Sequence, residues 1–469
     1  MRPSTGARKS HTTPRRKLSS RPKTSSFLNF FLVLIALFVI SVTAYKLTIV
    51  ATSEHNSIAK LELSLADVTI EEIDAGDKTI KYPGNTLILS QDGQSTTFEN
   101  VEIKGRGNST WAQAKKPYQI KFSENTSLFD YGKARKWVLL ANFSDHSYLR
   151  TATAFKLEQL LNEPFSLNGS FVELYIDNTY HGLYYLTEKV EIGKSRVNLK
   201  EPSGLIMELD NLYGQSNECF YTDSDTCYTI HDSVNEDYNE QSAQSFISDI
   251  NAFEAAIANK DYASISKVID IDSFAKYFLL NEFSINPDAY STSFFLYEDG
   301  ENDKIHAGPG WDFDLSLGND WGVESFHAPN RTMTLKDFLD NEDKSHHDAS
   351  ISTIIYDLMA FPEFETRVCE IYQENLSGHQ DELIDYIQSQ ANYIHDAAKK
   401  DIERWKLKID FDDEVDYLID WVAKRFDHFE KTYGNNNLTE TTPVSNITDT
   451  TNSNTSTNAP TQTHIDLDF

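Results

Sequence analysis

The sequence is short of cysteine, with three among 469 residues. Three cysteines assign the chain to neither side of a membrane. Cys219 and Cys227 bracket a short acidic loop and can pair, which leaves Cys369 odd; three unpaired thiols is the alternative. No internal repeat is evident, so a repeat array is not the architecture. The stretch Gly105-Arg106-Gly107 invites comparison with a phosphate-binding loop, but no GK[ST] follows it, which excludes a P-loop. Acids are missing from residues 1–26, which hold eight Lys/Arg. The formal net charge is -30, so the remainder of the chain carries -38. Such an acidic body repels nucleic acid, and no nucleic-acid partner is expected. Plain solubility accounts for the acidity. The length alone allows one to three domains.

Charge is also absent from "FLNFFLVLIALFVISVTAY", residues 27–45, which at nineteen residues is about the length needed to cross a ~30 Å hydrocarbon core. The basic segment, residues 1–26, precedes it and keeps the N-terminus cytoplasmic. The body is then extracytoplasmic and tethered to the membrane through one N-terminal helix. A cleaved signal peptide is the rival reading, which makes the protein secreted. Residues 46–60 read as a polar stalk. Residues 434–469, rich in Thr, Asn and Ser, cannot bury enough apolar surface to order themselves and read as a disordered tail.

Between stalk and tail, residues 61–433, the pattern changes once. Residues 61–200 are strand-rich, with short alternating runs such as "TLILS", "VEIKGRG" and "PYQIKF". "YIDNTYHGLYYL" reads as a hairpin with Asp177-Asn178 in its turn, and one helix is expected near "SYLRTATAFKLEQLLN". Residues 239–433 are mainly helical. In "DEVDYLIDWVAKRFDHFEKTYG", Val415, Leu418, Ile419, Val422, Phe426 and Phe429 form one apolar stripe, and Gly434 is a plausible stop. The layout predicts an α+β protein with a site between its β-rich and helical parts.

Five segments carry candidate chemistry. In "VEIKGRGNSTW" the glycines let the chain bend so that backbone N–H groups face an anion, and Arg106 adds a permanent planar charge suited to phosphate. A Gly-flanked turn with a solvated Arg is the alternative. Lys121 lies on an expected strand between Ile120 and Phe122 and can reach into a cleft or into water. Glu188 ends an aromatic strand and can accept from a ligand or simply face solvent. Asp288 follows Asn286-Pro287, where proline disfavours continuing the helix; in the loop ahead of "SFFLYE" it can orient a hydroxyl or cap a turn. In "GPGWDFDLSLGND", residues 308–320, Asp312 and Asp314 interrupt an apolar run. As a short buried strand this segment would place both acids on one face and Trp311, Phe313 and Leu315 on the other. Two such carboxylates cannot both stay ionised in a dry site without a cation, and Mg²⁺ accepts hard oxygen ligands of this kind. Adjacent His346 and His347 point apart on a helix or strand and read as surface loop.

In order along the chain, "KGRGNSTW", "KKPYQIKF", "KWVLLANFSDHSYLRT", "FVELYIDNTYHGLYYLTEKV", "LNEFSINPDAYSTSFFLY" and "GPGWDFDLSLGND" together resemble the spore-coat protein H (CotH) kinase family. The resemblance implies an atypical protein-kinase-like two-lobe fold, with a β-rich N-lobe, a helical C-lobe and ATP between them. It also implies Mg²⁺ and transfer of the γ-phosphoryl group to Ser or Thr of surface or envelope proteins. Carried over by position, Arg106 and Lys121 look like phosphate contacts and Glu188 like a nucleotide contact. Asp288 looks like the catalytic-loop acid, and Asp312 like the metal ligand, with Asp314 the second candidate. The H-R-D and D-F-G signatures of ordinary kinases are absent, as in the family. Pro287 stands where the family often has another small or polar residue. The alternative function is a non-catalytic pseudokinase acting in surface or coat assembly. A hydrolytic pairing of Asp312 with Asp314 is the weaker option, because acids on one face do not flank a bond from opposite sides.

Overall fold

Period-two alternation governs the first part of the chain, and the computed structural model describes residues 57–209, 219–286, 288–290, 292–319, 334–336 and 354–434. The basic segment, the apolar segment 27–45, most of the stalk and the tail beyond Gly434 lie outside these residues, as do Pro287, Asp320, His346 and His347. Among the described residues no helix is long and apolar enough to cross a membrane.

Strands β1 (Ala59–Ser64), β2 (Tyr82–Gln91), β3 (Gln94–Gly105), β4 (Tyr118–Ser127), β5 (Lys133–Leu140), β6 (Gly169–Ile176) and β7 (Thr179–Glu188) close into a barrel in the order β1-β2-β3-β4-β5-β7-β6. β1 takes up the last residues of the expected stalk. Its parallel pairing with β6 closes the ring. Every second side chain points inward, so Leu61, Ile103, Ile120, Trp137 and Leu186 meet in the barrel core. The predicted hairpin is β6–β7: Asp177 and Asn178 have φ of 46° and 63°, the left-handed pair of a type I′ turn.

A second sheet follows, in the order β12-β11-β8-β10-β9, from β8 (Leu205–Leu209), β9 (Phe220–Tyr221), β10 (Cys227–Ser233), β11 (Phe294–Glu298) and β12 (His306–Ala307). Cys219 and Cys227 form a disulfide, and Cys369 is free and buried. Helices α1 (Ile70–Ala75) and α2 (Arg150–Leu160) interrupt the barrel strands; α3 (Asn239–Ala258), α4 (Tyr262–Val268), α5 (Ile271–Ser284), α6 (Ile354–Leu358), α7 (Pro362–Asn375), α8 (Gln380–Trp405) and α9 (Phe411–Tyr433) build the C-terminal part. The result is a mixed α+β fold, β-rich first and helical later. The α9 stripe is buried except for a half-buried Ile419, and Asp410 caps the helix by accepting from the N–H groups of Asp412 and Asp413.

The barrel's outer face is also apolar where β5 and β7 run. Val138, Leu183 and Tyr185 leave the barrel core and join that of the helical part, where Phe155 of α2 meets Tyr185 at 6.3 Å between ring centres. A buried ion pair bolts the two parts together. Lys115 Nζ lies 2.9 Å from Asp401 Oδ2, with side-chain exposures of 0% and 1%. Asp401 also accepts from Tyr148 Oη at 2.9 Å and from the Leu183 N–H at 2.8 Å. Removing one partner of such a pair strands the other charge and costs about 3–5 kcal/mol. Asp401→Ala should lower the unfolding free energy in urea by about that amount, whereas Lys399→Ala, at an exposed pair on the same helix, should change it by less than about 1 kcal/mol.

Candidate active site

The seam between barrel and helical part opens into a cavity of about 600 Å³. Its barrel wall begins where β3 ends. Gly105 packs so tightly on Trp111 that a Cβ would lie 2.4 Å from the indole, and Gly107 has φ +83°. Together they turn Arg106 into the cavity, where its guanidinium lies over Trp311 at 4.9 Å. Burial weakens its cationic form, while Asp312 and then Glu208 support it. Arg106 Nη1 is buried with no protein acceptor. A buried cationic donor left open in a cavity wall fits an anion. The backbone at this turn departs from expectation, because the Arg106 N–H donates to Pro117 O at 3.3 Å and is not turned to a ligand.

The opposite wall carries the acids. Asp288, Asp312 and Asp314 all line the cavity, so the structure brings together the three acids selected from the sequence. The expected strand around Asp312 is absent. Residues 311–313 are irregular and residues 314–315 form a turn. Asp312 has φ +65°, which breaks the two-residue alternation, so Trp311 and Leu315 line the cavity beside the acids, while Phe313 turns away from it and packs with Trp311 in the core. Backbone contacts hold the segment in place. Buried Glu158 of α2 accepts from the Gly310 N–H at 2.6 Å, Leu317 N donates to Ser284 O at 2.7 Å, and Asn319 Nδ2 donates to Asp314 O at 2.6 Å and to Ser144 O at 2.9 Å. Burial pushes the Glu158 carboxyl up to about 8, against the backbone bonds from Gly310 and Leu167. The loop leading to α2 is equally fixed: Asp145 pairs with Arg150 at 2.6 Å and accepts from the Ser147 and Arg150 N–H groups.

Lys121 and Glu188 stand elsewhere. The register Glu102↔Lys121↔Lys136 and Lys104↔Gln119↔Val138 puts Lys121 on the same outer sheet face as Lys104 and Arg106, but Lys121 does not line the cavity. Glu188 does not line it either. Its carboxylate is buried against Arg196 and accepts from Asn168 N at 2.8 Å and Asn168 Nδ2 at 2.9 Å, which anchors the end of β7. The residue that does face the cavity is the next one, Lys189, joined by Glu208 and His231 of the second sheet. Strand parity was the available signal. Tyr184 and Leu186 point into the barrel with Glu188, so Lys189 belongs to the outward set of Leu183 and Tyr185. Glu208 and His231 had no comparable mark, since they meet only through sheet pairing.

Burial pushes Asp312 above the usual carboxylate range, with Arg106 opposing and Glu208 adding to the rise. Asp314 is raised further, by burial first and then by Asp312, Asp288 and Asp145. A carboxyl whose pKa is raised by folding binds its proton more tightly in the native state, so its contribution to stability falls as pH climbs above the unfolded value. Asp314→Asn should therefore raise the melting temperature at pH 7, and the gain should vanish as pH is lowered to about 4. Differential scanning calorimetry across that range checks it.

Among curated proteins none matches the chain. The model of the CotH kinase protein family matches residues 103–429, from within β3 to within α9. The match encloses every cavity residue named above and leaves out β1 and β2, which complete the barrel. It covers well over half of the sequence, and the chain belongs to the CotH kinase family, a kinase-like family that uses ATP.

Proposed function

We propose that this protein is a membrane-anchored, extracytoplasmic protein kinase of atypical two-lobe, kinase-like build, which transfers the ATP γ-phosphoryl group to Ser or Thr of surface or envelope proteins with Mg²⁺. The observation that carries this reading is the division of charge across one cavity, with an unsatisfied Arg106 guanidinium on the barrel side and Asp288, Asp312 and Asp314 on the helical side. Phosphoryl transfer is largely positioning and charge neutralisation, and it needs cations at the phosphates and acids at the metal and acceptor. The volume lies within the range of small-molecule sites, about 300–1,000 Å³.

The donor set fits Mg²⁺. Among the described residues no three metal-type side chains stand ready around one point. Mg²⁺ does not require that, since it keeps several waters and takes one or two carboxylates together with substrate phosphates. The mutual crowding of Asp312 and Asp314 is the electrostatic condition that a divalent cation relieves. Asp312 would hold it, with Asp314 as the second ligand; the ion would neutralise charge on the phosphate oxygens. Arg106 binds and orients the phosphate chain. Asp288, on the loop after α5, takes the proton of the acceptor hydroxyl as its oxygen bonds to phosphorus and the bond to the β-phosphate oxygen breaks, releasing ADP.

Purified protein incubated with γ-labelled ATP should transfer label to itself or to a Ser/Thr-rich protein. Asp288→Asn should cut turnover by roughly 10²–10⁴ with little change in ATP affinity, while Asp312→Asn should damage Mg²⁺-nucleotide binding and turnover together. Near-wild-type turnover in Asp288→Asn would remove that residue from the chemistry. Nucleotide binding without any transfer would identify the pseudokinase alternative.

The location rests on the uncharged segment 27–45 behind its basic flank. Protease added to cells whose outer barriers have been opened, with the membrane intact, should digest the body of the protein. Full protection would place it in the cytoplasm.

A further inference from the structure

Three cavity-lining side chains have no part in the reading above, and they form one connected chain. β8 and β10 pair in register up to Ile230↔Met207 and resume at Asp232↔Ile206, so His231 is the extra residue of a bulge. A bulge re-aims its side chain. Here it turns the imidazole edge-to-face against Phe295, 4.6 Å between ring centres, and toward Glu208. His231 Nδ1 lies 2.8 Å from Glu208 Oε2. His231 Nε2 lies 3.1 Å from Lys189 Nζ and 2.9 Å from Val190 O, and Lys189 Nζ donates to the same carbonyl at 2.9 Å.

The proton count favours one assignment. A doubly protonated imidazole would put two cations 3.1 Å apart. With a neutral ring, Nδ1–H donates to Glu208, and the Lys189 ammonium is the donor shared by two acceptors 2.9 Å apart, the Nε2 lone pair and Val190 O. Both acceptors lie on the same side of the ammonium. A remaining N–H is left at the cavity wall without a protein acceptor.

We infer that Lys189, aimed by His231 and Glu208, is a second phosphate-binding cation of this cavity, acting beside Arg106 on the nucleotide's phosphate chain. This rests on the nucleotide reading of the site. Charged groups from both sides of the cavity interact electrostatically: Lys189 senses Arg106, and Arg106 senses both Asp312 and Glu208. Burial lowers the Lys189 ammonium to about 8, where Glu191 and Asp232 support its charge and Lys136 and Arg106 oppose it. An incoming phosphate supplies the anion that this partly desolvated ammonium lacks. Lys121, on the same sheet face but outside the cavity lining, leaves that role open. His231 touches Lys189 rather than the ligand and is a positioning residue.

The test is a ladder of affinities for ATP, ADP, AMP and adenosine, measured by calorimetry on the full-length protein, with melting curves for each variant. Lys189→Met should weaken ATP about tenfold or more, ADP and AMP by less, and adenosine not at all. Lys189→Arg, which keeps the charge, should recover much of the loss. His231→Phe should show the same phosphate-number dependence at smaller size, while His231→Gln, able to donate to Glu208 and accept from Lys189, should stay near wild type. Equal weakening of ATP and adenosine by Lys189→Met would overturn the inference in favour of a base contact. Unchanged ATP affinity with a lowered melting temperature would overturn it in favour of a structural ion pair. Absence of ATP binding by the wild-type protein would instead overturn the nucleotide reading itself.

Discussion

The barrel and the helices share one fixed point, the carboxylate of Asp401. It takes the Lys115 ammonium, the Tyr148 hydroxyl and the Leu183 N–H, three donors from three segments far apart in sequence. Lys115 opens the approach to β4, Tyr148 sits two residues before α2, and Leu183 is in mid β7. The backbone must come very close for this. Gly182 has φ +145°, and a Cβ there would lie 2.4 Å from Asp401 Oδ1, so the glycine is needed for the approach as well as for its dihedral. Lys115 Nζ also donates to Leu183 O at 2.5 Å, which closes the circuit. Desolvating both ions is costly, and the geometry offsets it because Asp401 accepts from three donors and Lys115 donates twice. The cavity walls hang from these same segments.

The cavity itself is built against stability. Three acids face it, and Asp314 is held far from its preferred charge state by burial first and then by its acidic neighbours. Arg106 keeps a buried N–H unsatisfied on the other side. Neither feature is an accident of loose packing, because the acid segment is tied down on every side by Glu158, Ser284 and Asn319. A rigid scaffold that holds like charges together and leaves a guanidinium Nη1 without a protein acceptor is pre-organised for a polyanion and its counter-cation. The bonds of Glu158 and Asn319 are to backbone, so they position Asp312 and Asp314 without competing for their carboxylates.

Composition and periodicity carried the sequence reading a long way. The change from alternating to helical pattern near residues 200–239 marks the real change in architecture. The Asp177-Asn178 turn, the α9 stripe and the stop at Gly434 follow from local preferences, where a residue's own backbone and near neighbours decide. The same holds for the acids, since charge inside an apolar run is costly enough to be visible in one dimension. Cys219 and Cys227 are eight residues apart and bracket a tight return, so their pairing was one of two options on local grounds.

What the sequence by itself determined was therefore which residues are unusual for their surroundings: Arg106 between glycines, Asp288 after a helix stop, Asp312 and Asp314 among aromatics. Only the tertiary structure decided what each one faces. A left-handed φ at Asp312 replaced the expected strand, in a segment pinned by long-range contacts of Gly310, Leu317 and Asn319. Glu188 proved to be spent on Arg196, a partner eight residues on that lies beneath the barrel's end. Lys189 just past the end of β7, Glu208 of β8 and His231 of β10 come from separate segments and meet through a bulge and a sheet register. Register is a long-range property, set by which strands pair, so no window of sequence contains it.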